Sequence, residues 1–178
     1  MSASLSVLAT LAALSVGAAA FAQQVTEKSV AGVTNFKALE TTIACAGATT
    51  AAAVPELKKM GYASIINLRQ ASENGANIEE ETAAAKAAGI TFIHLPLNTQ
   101  APDPAVAEQF LAAVTKKENQ PAFIHCASGN RAAAMWLIKR MVVDHWDADK
   151  ASTEAASLGL TNQALKKFAT DYADAHKH

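Results

Sequence analysis

The sequence predicts an α/β domain with a mainly parallel central sheet flanked by helices. Three observations carry that prediction. Short apolar segments alternate with longer amphipathic ones through the middle of the chain. Gly, Pro, Asn or Asp punctuates almost every junction between them. The chain has 178 residues, 51% of them hydrophobic, which suits one domain with a substantial core. Strand–helix alternation of this kind builds parallel sheets, and ligands bind beyond the carboxyl ends of their strands.

The elements follow in order. Gln23 to Asn35 is a polar lead-in, expected to be irregular, and Phe36 to Cys45 holds one or two short strands. Gly47 to Thr50 turns into a helix running to about Met60, with Pro55 early, where it does least harm, and Gly61 as its C′ stop. Ala63 to Leu68 is a buried strand, followed by a polar loop, Arg69 to Ala76. Asn77 is expected to cap a helix whose first turn carries Glu79, Glu80 and Glu81, favourable to its dipole, and Gly89 ends it. Ile90 to Leu95 is the next strand and Pro96 to Pro102 a loop. Asp103 is an N-cap before an N1 proline, Pro104; Val106, Phe110 and Val114 then mark one apolar helix face. Pro121 to His125 is the last clear strand, and a long helix runs from Arg131 to about His145. Helical stretches at 148–158 and 161–175 are split by Gly159. Trp136 and Phe110 read as core.

The ends and the charge set limits. Residues 1–22 contain no charged side chain, and Ala20-Phe21-Ala22 precedes Gln23. This reads as a cleaved export signal, leaving 23–178 as the domain in the periplasm or secreted, with no membrane contact after cleavage. An uncleaved anchor or a buried helix is the alternative. A formal net charge of −1 gives no bulk basis for binding nucleic acid. The two cysteines, Cys45 and Cys126, are not spaced as metal ligands, and no pair of the five histidines is either. No metal or cofactor is expected. In an oxidising compartment the two thiols could pair, or Cys45 could be a small buried hydrophobe.

The chemistry concentrates at His125-Cys126-Ala127-Ser128-Gly129-Asn130-Arg131, between a strand and a helix. Small residues at Ala127, Ser128 and Gly129, then Asn130, let successive backbone N–H groups converge on one anion. The helix N-terminus adds the positive end of its dipole, and Arg131 a bidentate clamp. The same field favours a thiolate at Cys126, giving a nucleophile beside the seat of the anion it attacks. His125 is placed to orient the loop, and Arg69 with Glu73 either braces it or forms an exposed surface pair. A tight turn around an inert cysteine would have no need of Cys, Gly and Arg together.

These residues resemble the cysteine-based phosphatase superfamily of protein-tyrosine and dual-specificity phosphatases. More narrowly, they are similar to the bacterial beta-lactamase-hydrolase-like phosphatases. Gly61 through Arg69, Ala88 through Leu97 and Phe123 through Trp136 each look like a segment of that family, so the likeness spans roughly residues 30 to 160. It implies a dual-specificity phosphatase-like fold acting without metal on a phosphorylated or other oxyanionic substrate. Cys126 would form a cysteinyl-phosphate, and Arg131 with the amides of Ala127 to Asn130 would hold the equatorial oxygens. An acid for the leaving group is expected on the loop before the helix at 104, where Asp103 is the only carboxylate and doubles as the cap. Two features depart from the family. Four residues, not five, separate Cys126 from Arg131, and Ala132 stands where a Ser or Thr usual to the family would be, with Ser128 a candidate stand-in. The four-residue spacing also resembles the rhodanese sulfurtransferases, which would imply a persulfide on Cys126. A non-catalytic oxyanion-binding or redox module is the third alternative.

Overall fold

The computed structural model describes residues 24–39 and 42–176; the proposed signal at 1–22 and the C-terminal His178 lie outside the described residues. Six strands form one sheet: β1 (Val25–Val30), β2 (Val33–Leu39), β3 (Ile43–Ala46), β4 (Ser64–Asn67), β5 (Thr91–His94) and β6 (Ala122–His125). Their spatial order is β1-β2-β3-β6-β4-β5. β3, β6, β4 and β5 run parallel, and β1 and β2 join as antiparallel strands at one edge. The predicted α/β class holds.

Six helices cover the sheet: α1 (Val54–Lys59), α2 (Ile78–Ala88), α3 (Pro104–Val114), α4 (Asn130–Val142), α5 (Ala148–Ser157) and α6 (Gln163–His176). Alternation along the strands sorts the core into two clusters. Ile65 and Phe123 point to the cluster that includes Val54, Leu57 and Ala85 of α1 and α2. Ile66 and Ile124 point to the larger one, with Phe110, Trp136, Leu165 and Ala169. α4 lies deepest, with ten of its 13 residues buried. Phe110 and Trp136 are core, as expected.

Several expectations change. The lead-in at 23–35 is not irregular: Val25–Val30 forms an edge strand paired with β2. Its pattern of exposed polar residues between two valines suits a sheet edge, which the apolar-run criterion overlooks. Asn77 stands before α2 with φ of 45° but makes no capping bond. α4 ends at Val142 rather than near His145. Gly61 and Gly89 adopt left-handed φ values of 94° and 64° directly after α1 and α2, as helix-stopping glycines do.

Candidate active site

The carboxyl ends of β3, β6, β4 and β5 share one edge of the sheet. The connection from β6 to α4, Cys126 to Gly129, lies at its centre. Cys126 N–H donates to Ala46 O (3.2 Å), and Leu68 N–H donates to His125 O (2.9 Å), so both neighbouring strands fix the start of the loop. The next two carbonyls are held from outside. Ala127 O accepts from Ala48 N–H (3.0 Å), and Ser128 O accepts from Asn35 Nδ2 (3.2 Å). In a planar trans peptide the N–H lies opposite the C=O. Each carbonyl turned outward therefore turns the following amide inward, and Gly129 N–H does donate to Cys126 Sγ, at 3.1 Å.

Two glycines permit this arch. Gly129 has φ of 98°, in the left-handed region glycine enters without penalty, and it leads the chain into α4. At Gly47 a Cβ would lie 2.3 Å from Thr34 Oγ1 and 3.2 Å from Ala127 O. Only glycine lets the turn after β3 back the loop this closely.

Arg131, the second residue of α4, is buried and held from three sides. Its Nη1 donates to Leu68 O (2.9 Å) and Leu97 O (3.0 Å), and its Nη1 and Nη2 to the two oxygens of Glu73. Glu73 also accepts from Gln70 N–H (2.8 Å) and Arg69 Nε (3.3 Å). Arg69 is itself fixed on Gly75 O (2.7 Å) and Asn74 O (2.6 Å). The Arg69–Glu73 pair is thus no exposed surface pair. Burial alone would raise the carboxyl of Glu73, but hydrogen bonds from Arg131 and Gln70, the charge of Arg131 and the bond from Arg69 bring it down to about 2. Burial opposes the charge on Arg131, yet Glu73 and Cys126, as charge and hydrogen-bond partners, raise its pKa above the ordinary guanidinium value. Among the described residues no protein oxygen accepts from its Nε. Its coupling to Cys126, by charge and by hydrogen bond, puts the cation beside the sulfur.

A buried polar chain stands behind the loop. His125 and Glu81 are both almost fully buried, and Nε2 of His125 lies 2.9 Å from Oε1 of Glu81. The angle is poor for a hydrogen bond, and Nδ1 has no partner among the described residues. The other Glu81 oxygen accepts from Asn67 Nδ2 (2.7 Å), and Asn67 Oδ1 accepts from Arg69 N–H (2.8 Å). This chain joins His125 to the turn that carries Arg69 and Glu73. Glu81 is therefore not the solvated first-turn charge its sequence position suggests. Its buried partners come from β4 and β6, and helical spacing alone does not show them.

The remaining candidates sort by position. Ala127 and Ser128 are exposed on the loop, and Ser128 Oγ accepts from Asn130 Nδ2 (3.3 Å). The Asn130 side chain turns toward the start of α6, where its Oδ1 accepts from Thr161 N–H and Asn162 N–H, both at 2.8 Å. Asp103 is exposed and caps α3, its Oδ1 accepting from Ala105 N–H (2.9 Å). Asn98 Oδ1 accepts from Gln100 N–H and shapes the same connection. Cys45 and Cys126 are both buried free thiols in one core cluster. Burial pushes the Cys45 thiol well up, with the charges of Cys126 and Glu154 adding to it. Among the described residues no group of three His, Cys, Asp or Glu is placed to hold a metal ion.

A family profile described as "DSP-PTPase phosphatase fused to NAD+ Kinase" matches residues 16–171. Among curated proteins there is no match. Several solved structures share the fold. A DUF442 protein from Shewanella putrefaciens CN-32 is 19% identical, with a TM-score of 0.68 over 83% of this chain and 94% of its own. TpbA of P. aeruginosa is 20% identical, with a TM-score of 0.61 over 80% and 84%. The core catalytic domain of the PP-IP phosphatase SIW14 of S. cerevisiae is 18% identical, with a TM-score of 0.65 over 80% and 87%.

Proposed function

This chain belongs to the DSP-PTPase phosphatase family, and we propose that it hydrolyses a phosphomonoester through a cysteinyl-phosphate on Cys126. The observation that carries the reading is the arch itself. A cysteine sulfur receives an inward amide, from Gly129, beside an arginine fixed by Glu73. Such a site suits a tetrahedral oxyanion and a nucleophile at once.

In the proposed reaction Cys126 Sγ forms a bond to phosphorus as the ester oxygen departs with the other electron pair. Inward loop amides and Arg131 hold the equatorial oxygens. An aryl oxygen leaves without help; an alkyl oxygen needs a proton, and Asp103 is the carboxyl that the connection after β5 offers. Water then attacks phosphorus, releases phosphate and restores the thiolate. A TpbA variant binds pTyr and SIW14 is a PP-IP phosphatase, so related folds accept a phosphate on an aryl group or on a polyphosphorylated body.

An aryl phosphate assay tests the reading. The wild type should turn over, and Cys126→Ser should fold alike and lose at least about a thousandfold in kcat. Turnover retained in Cys126→Ser would refute it. The four-residue spacing from Cys126 to Arg131 favours one second reading, persulfide transfer, which thiosulfate-to-cyanide assays would reveal. The proposed export of the domain predicts a mature protein that begins at Gln23.

A further inference from the structure

We infer that this site selects monophosphate esters on a body of low charge and discriminates against polyanions, an inference that rests on the phosphatase reading above. Charge is placed unevenly around the sheet. The loops at the carboxyl ends of β3, β4, β5 and β6 form the rim from which substrate must approach. Within them the described cations are Arg69 and Arg131. Both are buried and committed: Arg69 to Glu73 and two carbonyls, Arg131 to Glu73 and two carbonyls.

Exposed charge on the same rim is negative. Asp103 precedes α3, and Glu79 and Glu80 stand in the first turn of α2, where they line a cleft beside Ala71 and Asn77. The other rim positions are neutral: Asn74, Asn98, Thr99, Gln100, Ser128 and Thr161.

Most lysines lie elsewhere because they sit at the far ends of helices that run back from the rim. Lys58 and Lys59 close α1, Lys86 closes α2, Lys116 and Lys117 follow α3, and Lys139 closes α4. Lys150 lies over Trp146 at that same far end. Lys37 is paired with Glu27 on the outer strands, which also carry Lys28. Lys166 and Lys167, the fourth and fifth residues of α6, come nearest the rim, and Lys167 pairs with Asp171.

The loop amides, the α4 dipole and Arg131 therefore supply positive field for one phosphoryl group. Further phosphates on the same molecule would meet no free cation in the connections after β3, β4, β5 and β6 and would face carboxylates instead. Over distances near a Debye length, about 8 Å at physiological salt, that repulsion lowers the encounter rate of a polyanion.

The test compares kcat/KM of the full chain for an aryl monophosphate and for an inositol pyrophosphate, at low and at high salt. The aryl ester should lead by about tenfold or more, and salt should narrow the gap. The Glu79→Lys/Glu80→Lys variant should raise the polyanion value by about tenfold and leave the aryl value within about twofold. An inositol pyrophosphate turned over as well as the aryl ester, or a charge-reversed variant that leaves the gap intact, would overturn the inference. If neither ester turns over, the phosphatase reading fails instead. Protection of Cys126 from iodoacetate then still decides the matter. Better protection by orthophosphate than by inositol hexakisphosphate supports the inference, and the reverse order overturns it.

Discussion

Two buried arginines on one helix show how the same residue type serves two ends. Arg140, in the last turn of α4, donates through Nε and Nη2 to Glu154 and through Nη1 to Asp144. Its guanidinium lies 4.8 Å from the Trp136 ring and 4.1 Å from the Trp146 ring, so its faces are covered as well. Trp136 Nε1 donates to the same glutamate, at 2.7 Å. Arg131, in the first turn, is also tied to a glutamate, but Cys126 is a charge and hydrogen-bond partner of the same cation. Arg140 is a closed clamp joining α4 to α5. Arg131 is held by Glu73, Leu68 and Leu97, and in the proposed reaction an anion completes its partners. Preorganisation of this sort lets a site bind developing charge with little rearrangement.

The largest effects are expected at the arginines themselves. Arg131→Lys should lower kcat/KM by about 10²–10³, because an ammonium cannot reproduce the fork, and should change Tm little. Arg140→Ala should do the opposite. It leaves Glu154 buried without its partner, at a cost of about 3–5 kcal/mol, so Tm should fall by roughly 10 °C while KM stays near the wild-type value. Equal effects of both changes on Tm and on activity would erase the distinction.

Glu73 sharpens it. Glu73→Gln keeps the shape and removes the charge that fixes Arg131, so kcat/KM should fall by about tenfold. Its folded pKa of about 2 lies below the ordinary 4.5, so ionisation of Glu73 stabilises the fold. That contribution is complete above the ordinary value and is lost as pH falls toward 2. Acid titration of Tm should show a steeper loss for the wild type than for Glu73→Gln in this window.

Asp103→Asn comes next. Asn caps a helix as well as Asp, so stability should hold, while alkyl phosphate turnover drops about tenfold and aryl turnover stays within about twofold. Loss of both activities together would point to the cap, not to proton transfer. The smallest effect is expected from Asn130→Ala, which unties the loop from Thr161 and Asn162. KM should rise about threefold, the loss of one or two neutral hydrogen bonds.

The sequence makes one half of this picture legible. Cys126 and Arg131 lie within one short connection, and local spacing points to a shared anion site, as proposed. The parallel strands read clearly because Ile65, Ile66, Phe123 and Ile124 sit in short apolar runs. The other half depends on distant contacts. Glu73 lies 58 residues from Arg131, and nothing in its local pattern says which arginine it holds. Glu81 sits in a first turn with two exposed glutamates, and only the neighbouring β4 and β6 bury it against His125 and Asn67. The edge strand β1 was hidden because four of its six residues are polar and exposed, and its pairing with β2 defines it. Asn130 belongs to the loop by position, while its side chain serves the start of α6.

Covalent chemistry at Cys126 is open to direct trapping. The wild type is mixed with an aryl phosphate, quenched with acid within its first turnovers, digested and analysed by mass spectrometry. One phosphoryl group is expected on the peptide that contains Cys126, lost on longer incubation and not formed by Cys126→Ser. Turnover with no phosphoryl adduct at Cys126, or with the adduct on another residue, would contradict it.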